Sequence, residues 1–272
     1  MRIIISYQMI ALVGLILLIP QPGTAAKRMD VPAETLTSIA SSGNDRTKKI
    51  PDKNTEKIEE KSLIKQNMLT YRPPLRGAPA GRIAGGTRGL NTQFPYLCSL
   101  VPEHVGLTTS KQPSLYYFLS DATTFPLEFT IIEKQAVYPL VETRIQLPRT
   151  AGIHVINLAD YNKNLKIDTQ YRWFIAVVQD DEHRCKDILA AGAVEWVAAS
   201  AALKTRLEDT SNTEKAAIYA ETGIWYDSLA SISNAIDKHP GELDLHQQRA
   251  SLLEQIGLPE VAQYEYQQIE KR

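Results

Sequence analysis

Cysteine is scarce: only Cys98 and Cys185 occur in 272 residues. That excludes a disulfide-dense scaffold and a multi-cysteine metal cluster. Five histidines are scattered without paired ligand spacing, so no metal site is expected. Neither charge sign is in excess, with 30 Lys plus Arg against 31 Asp plus Glu. A dedicated nucleic-acid binder would be strongly positive, so no nucleic-acid partner is expected. No Gly-x-Ser-x-Gly elbow and no His-Glu-x-x-His pair is present. The chain therefore reads as non-enzymatic, with no catalytic residue assigned and no cofactor. What is present is apolar material: 43% apolar residues support a folded core rather than wholesale disorder.

Long apolar runs are confined to the N-terminus. Arg2 is the only charge before Lys27, and the apolar stretch Met9 to Ile19 leads into Pro20 and Gly23-Thr24-Ala25-Ala26. A short basic start, an apolar middle and a small-residue exit describe a secretory signal peptide over 1–26, cleaved after Ala26. The alternative is an uncleaved anchor helix over residues 3–19, only marginally long enough to cross a bilayer. Cleavage leaves a periplasmic or extracellular mature chain without a transmembrane domain. In such an oxidising compartment an even pair of cysteines reads as a Cys98–Cys185 disulfide. A cysteine nucleophile assisted by His183 is the alternative.

Residues 27–68 are polar and of mixed charge, without helical or strand periodicity, and are expected to form a disordered spacer. No acid occurs between Glu60 and Glu103, while Lys61, Lys65, Arg72, Arg76, Arg82 and Arg88 fall inside. Prolines and glycines across Tyr71–Gly89 forbid a helix there. One reading is a basic arm in which Arg72, Arg76, Arg82 and Arg88 bind anionic groups. The other is an extended strap along a domain edge, its arginines paired locally.

From residue 96 to 197 the pattern is that of strands. Leu127, Phe129 and Ile131 alternate with Glu128 and Thr130, and Val141, Thr143 and Ile145 alternate with Glu142 and Arg144. Period two with one polar face predicts an antiparallel, half-solvated sheet. Further strands are predicted at 114–119, 152–158, 171–179 and 188–197. Leu165, a short turn and Tyr171 opening a long apolar strand resemble the tyrosine corner of immunoglobulin-like sandwiches, in which the phenol bonds back to the preceding turn. Trp173 then shares a face with Tyr171 and Ile175. In Tyr116-Tyr117-Phe118, alternation turns Tyr117 away from its neighbours, so at least one side is core rather than a sugar-binding platform.

After Val197 the period changes. A short helix is predicted over 198–208, with caps for a second helix in Thr210-Ser211-Asn212-Thr213. An internal repeat follows: Gly223 and Gly257, Ala216 and Ala250, and Ser228 and Ala262 are each 34 residues apart. That is the tetratricopeptide period, with small residues where paired helices touch. The domains read as signal peptide 1–26, linker 27–68, strap plus immunoglobulin- or fibronectin-like antiparallel β-sandwich 69–197, and a small all-α tetratricopeptide-like domain 198–272.

Several stretches resemble a bacterial family of unknown function, number 928. They are Arg-Gly-Ala-Pro (76–79), Gly-Gly-Thr-Arg-Gly (85–89), Leu100-Val101-Pro102, Tyr171-Arg172-Trp173-Phe174 and, most specific, Gly223-Ile224-Trp225-Tyr226-Asp227. The resemblance covers about residues 69–262. It implies an exported protein, with no reaction attached. The leading expectation is an envelope scaffold or protein–protein interaction protein. Its partner is an unidentified envelope protein, contacted through Trp225, Tyr226 and Tyr264. The alternative for Trp225 is packing against the sandwich. The alternative function is a binding module for an anionic envelope polysaccharide or lipid headgroup, using the arginine arm.

Overall fold

The computed structural model describes residues 68–74, 82–85 and 95–270. The expected signal peptide and the spacer through residue 67 lie outside the described residues. Nine strands are described: β1 (Ala84–Gly85), β2 (Leu97–Ser99), β3 (Gly106–Thr108), β4 (Ser114–Leu119), β5 (Leu127–Glu133), β6 (Val141–Ile145), β7 (Gly152–Asn157), β8 (Gln170–Val177) and β9 (Ile188–Trp196). Five helices follow: α1 (Ala201–Leu207), α2 (Asn212–Glu221), α3 (Trp225–Lys238), α4 (Leu243–Gln255) and α5 (Pro259–Glu270).

The strands form two sheets, ordered β1-β2-β4-β7 and β3-β9-β8-β5-β6. The first is antiparallel throughout. The second is mixed, because β3 runs parallel to β9 while the other neighbours are antiparallel. This corrects the expectation of a purely antiparallel arrangement. The chain leaves β2 by crossing to the other sheet as β3, so it does not turn back as a hairpin. The sheets face a common core of Leu97, Leu115, Leu119, Phe129, Ile131, Trp173, Ile175 and Val177. They are also tied directly. Ser99 Oγ donates to Ala191 O at 2.6 Å, and Ile83 makes an antiparallel bridge to Ala191.

The period-two strands follow the predicted faces. β5 buries Leu127, Phe129 and Ile131 completely, and its intervening residues are half-exposed. Tyr171, Trp173 and Ile175 share the buried face of β8. Lys166 N–H donates to the Tyr171 hydroxyl at 3.2 Å, so the phenol does bond back to the turn before its strand. β4 departs from alternation: Tyr116, Tyr117 and Phe118 are all buried. Helices cover the face of β4 that a solvated sheet would expose, with Phe118 edge-on to Tyr264 of α5 at 5.1 Å between centroids. The three aromatics are packing, not a sugar platform.

Helices follow the strands, as the change of period after Val197 predicts. Ser211 closes a capping box with Glu214 at the start of α2. The α2–α3 and α4–α5 pairs are each joined by a tight turn at Gly223 or Gly257, with φ of +78° and +75°. Ala216, Ala250, Ser228 and Ala262 are fully buried where the helices meet. Small side chains permit that close approach. The sheets and helices contribute to one continuous hydrophobic cluster.

Candidate functional site

The Gly223–Asp227 block sits where the helices meet the sheets. Tyr226 is 1% exposed and Trp225 is 0% exposed. Trp225 Nε1 donates to Leu100 O at 2.8 Å. Trp173 Nε1 donates to the Tyr226 hydroxyl at 2.8 Å, and that hydroxyl donates to Ala193 O at 2.9 Å. The Asp227 carboxylate accepts from Thr109 N–H and Thr109 Oγ1 at 3.0 and 2.8 Å. Burial pushes the Tyr226 phenol above its ordinary value, and it raises the Asp227 carboxyl as well. One short segment thus reaches the β2–β3 crossing, β8, β9 and the loop after β3. Gly106 makes room for Tyr226, and Gly192 makes room for Val101 and the Trp173 indole that bonds to Tyr226. A Cβ on Gly106 would lie 2.7 Å from Tyr226 Cε2, and one on Gly192 would lie 2.9 Å from Val101 Cγ2.

Trp225 and Tyr226, expected as partner contacts, are therefore corrected to internal staples, because neither presents surface to a partner. Tyr264 is half-buried against Phe118, and its hydroxyl donates to Ala151 O at 3.1 Å. It too packs a helix onto a sheet.

The arginine arm is divided. Arg76 and Arg88 lie outside the described residues. Arg82, expected as an anion ligand, is a clamp: its guanidinium donates to Val101 O, Ile256 O and Gly257 O at 3.0, 2.8 and 3.0 Å. Those carbonyls belong to the β2–β3 crossing and the α4–α5 turn, so one cation ties a strap, a sheet and a helical turn. Glu103 stands 4.0 Å away as an exposed counter-ion. Arg72 is exposed, and its backbone N–H donates to Ala220 O at the end of α2.

Around this clamp lies an open groove of about 330 Å³, lined by Tyr71, Pro102, Glu103, His104, Gln255 and Ile256 among others. Its walls come from the strap, the β2–β3 crossing and the end of α4. Gln255 holds the strap at two points, accepting from Tyr71 N–H at 2.9 Å and donating to Leu69 O at 2.8 Å. Tyr71 packs edge-on to Trp225 at 5.0 Å and stacks on His104 at 6.0 Å. His104 Nδ1 lies 2.9 Å from Val105 O and its Nε2 lies 3.3 Å from the Tyr71 hydroxyl. Val105 O can only accept, so its contact is made with an Nδ1–H. The floor is aromatic and held in place, and the rim carries Glu103 and the amide of Gln255. Sequence periodicity alone could not find this groove, since its three walls are far apart in the chain.

The expected Cys98–Cys185 disulfide is not formed; both thiols are free. Cys98 is fully buried in β2 and donates to Ser99 O, with burial pushing its thiol up. Cys185 is exposed in a 3-10 turn between β8 and β9. One sulfur faces the core and the other faces solvent.

A second unforeseen feature is buried in the helices. Arg249 pairs with Glu265 at 2.9 Å and donates to Ser233 Oγ at 3.2 Å, while His246 Nδ1 lies 3.1 Å from Glu265. Burial works to raise the Glu265 carboxyl, but His246 and Arg249 together hold it below its ordinary value. Among the described residues, no group of three or more His, Cys, Asp or Glu is arranged to hold a metal ion. No helix among them is long and apolar enough to cross a membrane.

The profile of a family described as Domain of Unknown Function (DUF928) matches residues 83–266, from the approach to β1 into α5. No curated protein matches the chain. The match takes in both sheets, the Gly223–Asp227 staple and most of the helices, and with well over half its length inside that profile the chain belongs to the DUF928 family.

Proposed function

We propose that this protein is an exported, non-enzymatic interaction protein of the bacterial cell envelope. In this reading the sheets are an immunoglobulin-like sandwich, and the helices are two tetratricopeptide-like repeats fused to it. The Tyr171–Lys166 corner bond supports the first assignment. The 34-residue offset between Gly223 and Gly257, both in inter-helix turns, supports the second. The signal-like residues 1–26 support export, after which the folded part acts in the periplasm or outside the cell.

The observation that carries the interaction role is the groove bounded by Tyr71, Glu103, His104 and Gln255. It is open, and its walls are locked by Arg82 and Gln255. A preformed groove with an aromatic floor and a polar rim suits an extended peptide of a partner protein, because little ordering is needed on the receiving side. The reading that assigns the arm to an anionic polysaccharide or lipid headgroup is weaker, since Arg82 is engaged by three carbonyls.

In-cell photocrosslinking tests the proposal, with a crosslinking residue in place of Glu103 or Pro73 on the groove rim, and of Asp121 as an exposed control away from it. A discrete protein adduct from the rim positions alone is expected. Identical adducts from all three positions, or retention of glycan or lipid only, would overturn it.

A further inference from the structure

β6 is an outermost strand of its sheet among the described residues, paired with β5 on one side and with no strand on the other. The direction of its backbone groups follows from β5. Val178 N–H donates to Pro126 O and Lys134 N–H donates to Gln170 O, both at 2.9 Å. Even-numbered residues of β5 therefore exchange backbone bonds with β8. Antiparallel pairing alternates, so its odd-numbered residues bond to β6. Leu127, Phe129 and Ile131 stand opposite Ile145, Thr143 and Val141. The N–H and C=O groups of Glu142 and Arg144 are left pointing to the free edge.

The side chains on that edge have a particular order. Val141, Glu142, Thr143, Arg144 and Ile145 read apolar, acid, threonine, base, apolar. Glu142 and Arg144 are exposed on the outer face, while Val141 and Ile145 turn toward the core. Arg144 already meets Glu128 and Asp181, whereas Glu142 is paired with no cation among the described residues. A two-fold axis through Thr143 would set Glu142 opposite Arg144 of a second copy, twice, and Thr143 opposite Thr143. The residues whose charges match are the same ones whose backbone groups are free.

We propose that β6 is a self-association edge, through which two copies of this chain pair antiparallel about a two-fold axis at Thr143. The two five-stranded sheets would then run on as one. Edge strands that avoid pairing carry proline, a bulge or charged side chains, lysine above all. Here Pro139 and Pro148 flank the strand, no proline lies between them, and the two charges are complementary under the two-fold. The register also accounts for the β5–β6 turn, where Val137 and Tyr138 are 81% and 82% exposed. Continued past the strand, it brings Tyr138 level with Pro148 of the second copy, an apolar contact beside the backbone bonds, and Val137 level with Arg149. An isologous pairing of this kind buries the same patch on both chains.

Sedimentation of the full chain over a concentration series tests this. The natural chain is expected to show a monomer–dimer equilibrium. Glu142→Arg places two arginine pairs face to face and should weaken the dimer by about tenfold or more, without touching an internal partner. Arg144→Glu should do the same by opposing carboxylates. Mixing the two variants should restore a heterodimer, because each then supplies the charge that the other lacks. Exchange of the Glu142 and Arg144 amides should slow as the natural chain is concentrated. A natural chain that stays monomeric throughout, or a Glu142→Arg variant that dimerises as well as the natural chain, would overturn the proposal. If Arg144→Glu fails to fold, Glu142→Arg and the amide exchange decide it alone.

Discussion

The Trp173 indole donates to the Tyr226 hydroxyl at 2.8 Å, inside a core where the two side chains are 0% and 1% exposed. The bond joins β8 to α3, elements that a sequence reading assigns to different domains. The phenol passes the connection on to Ala193 O in β9. The most specific stretch of the chain is thus occupied in holding the helices to the sheets, and it offers no surface to a partner.

Tyr226→Phe keeps the ring and removes the hydroxyl. Trp173 Nε1 and Ala193 O lose their shared partner in a dry site. A loss of about 2–3 kcal/mol is expected for two buried groups left unpaired. Urea unfolding should show a lower midpoint with an unchanged slope.

Gly192→Ala tests the close approach beneath the same bond. The added Cβ would lie 2.9 Å from Val101 Cγ2 and 3.0 Å from Trp173 Nε1. Overpacking of this kind costs about 1–3 kcal/mol. A thermal melt should show the loss, and Gly241→Ala, where the Cβ meets nothing within 4 Å, is the matched control.

The six longer strands and the C-terminal helices were legible because their patterns run over enough residues to show a period. β1, β2 and β3 are two or three residues long and carry none, so the crossing between sheets and the parallel β3–β9 pair were not legible. Helical periodicity shows that Trp225 and Tyr226 are on an apolar face. It cannot show whether that face meets a partner or the chain's own sheets. The sequence left Arg82 between an anion ligand and a strap paired within the protein, because its acceptors, Ile256 O and Gly257 O, are backbone atoms far along the chain. The groove shares that origin, as does the Arg249–Glu265 pair, whose residues look like ordinary solvated charges on two helices.

That pair sets a pH dependence. Glu265 is held below its ordinary value in the folded chain. Its contribution to stability is therefore present above the unfolded carboxylate value and is lost as pH falls through the depressed folded value. Arg249→Met should cost about 3 kcal/mol by leaving a buried carboxylate with His246 as its one remaining partner, while Arg249→Met with Glu265→Met should cost less than that single change. Denaturant melts across the acid range measure both effects.

The free thiols predict a chemical difference. Without reductant, maleimide should label Cys185 in the native chain and reach Cys98 only after denaturation, giving two labels by mass spectrometry. Substituting Cys185 by serine should leave the melting temperature unchanged, since no cross-link is removed.

Native-state hydrogen exchange under rising denaturant tests the central claim, that sheets and helices are one cooperative body joined at Trp225 and Tyr226. Core amides of β8, β9 and α3 should open together, with a common free energy and a common denaturant slope. Opening of α2 through α5 at a distinctly lower free energy, while β8 and β9 stay protected, would contradict it.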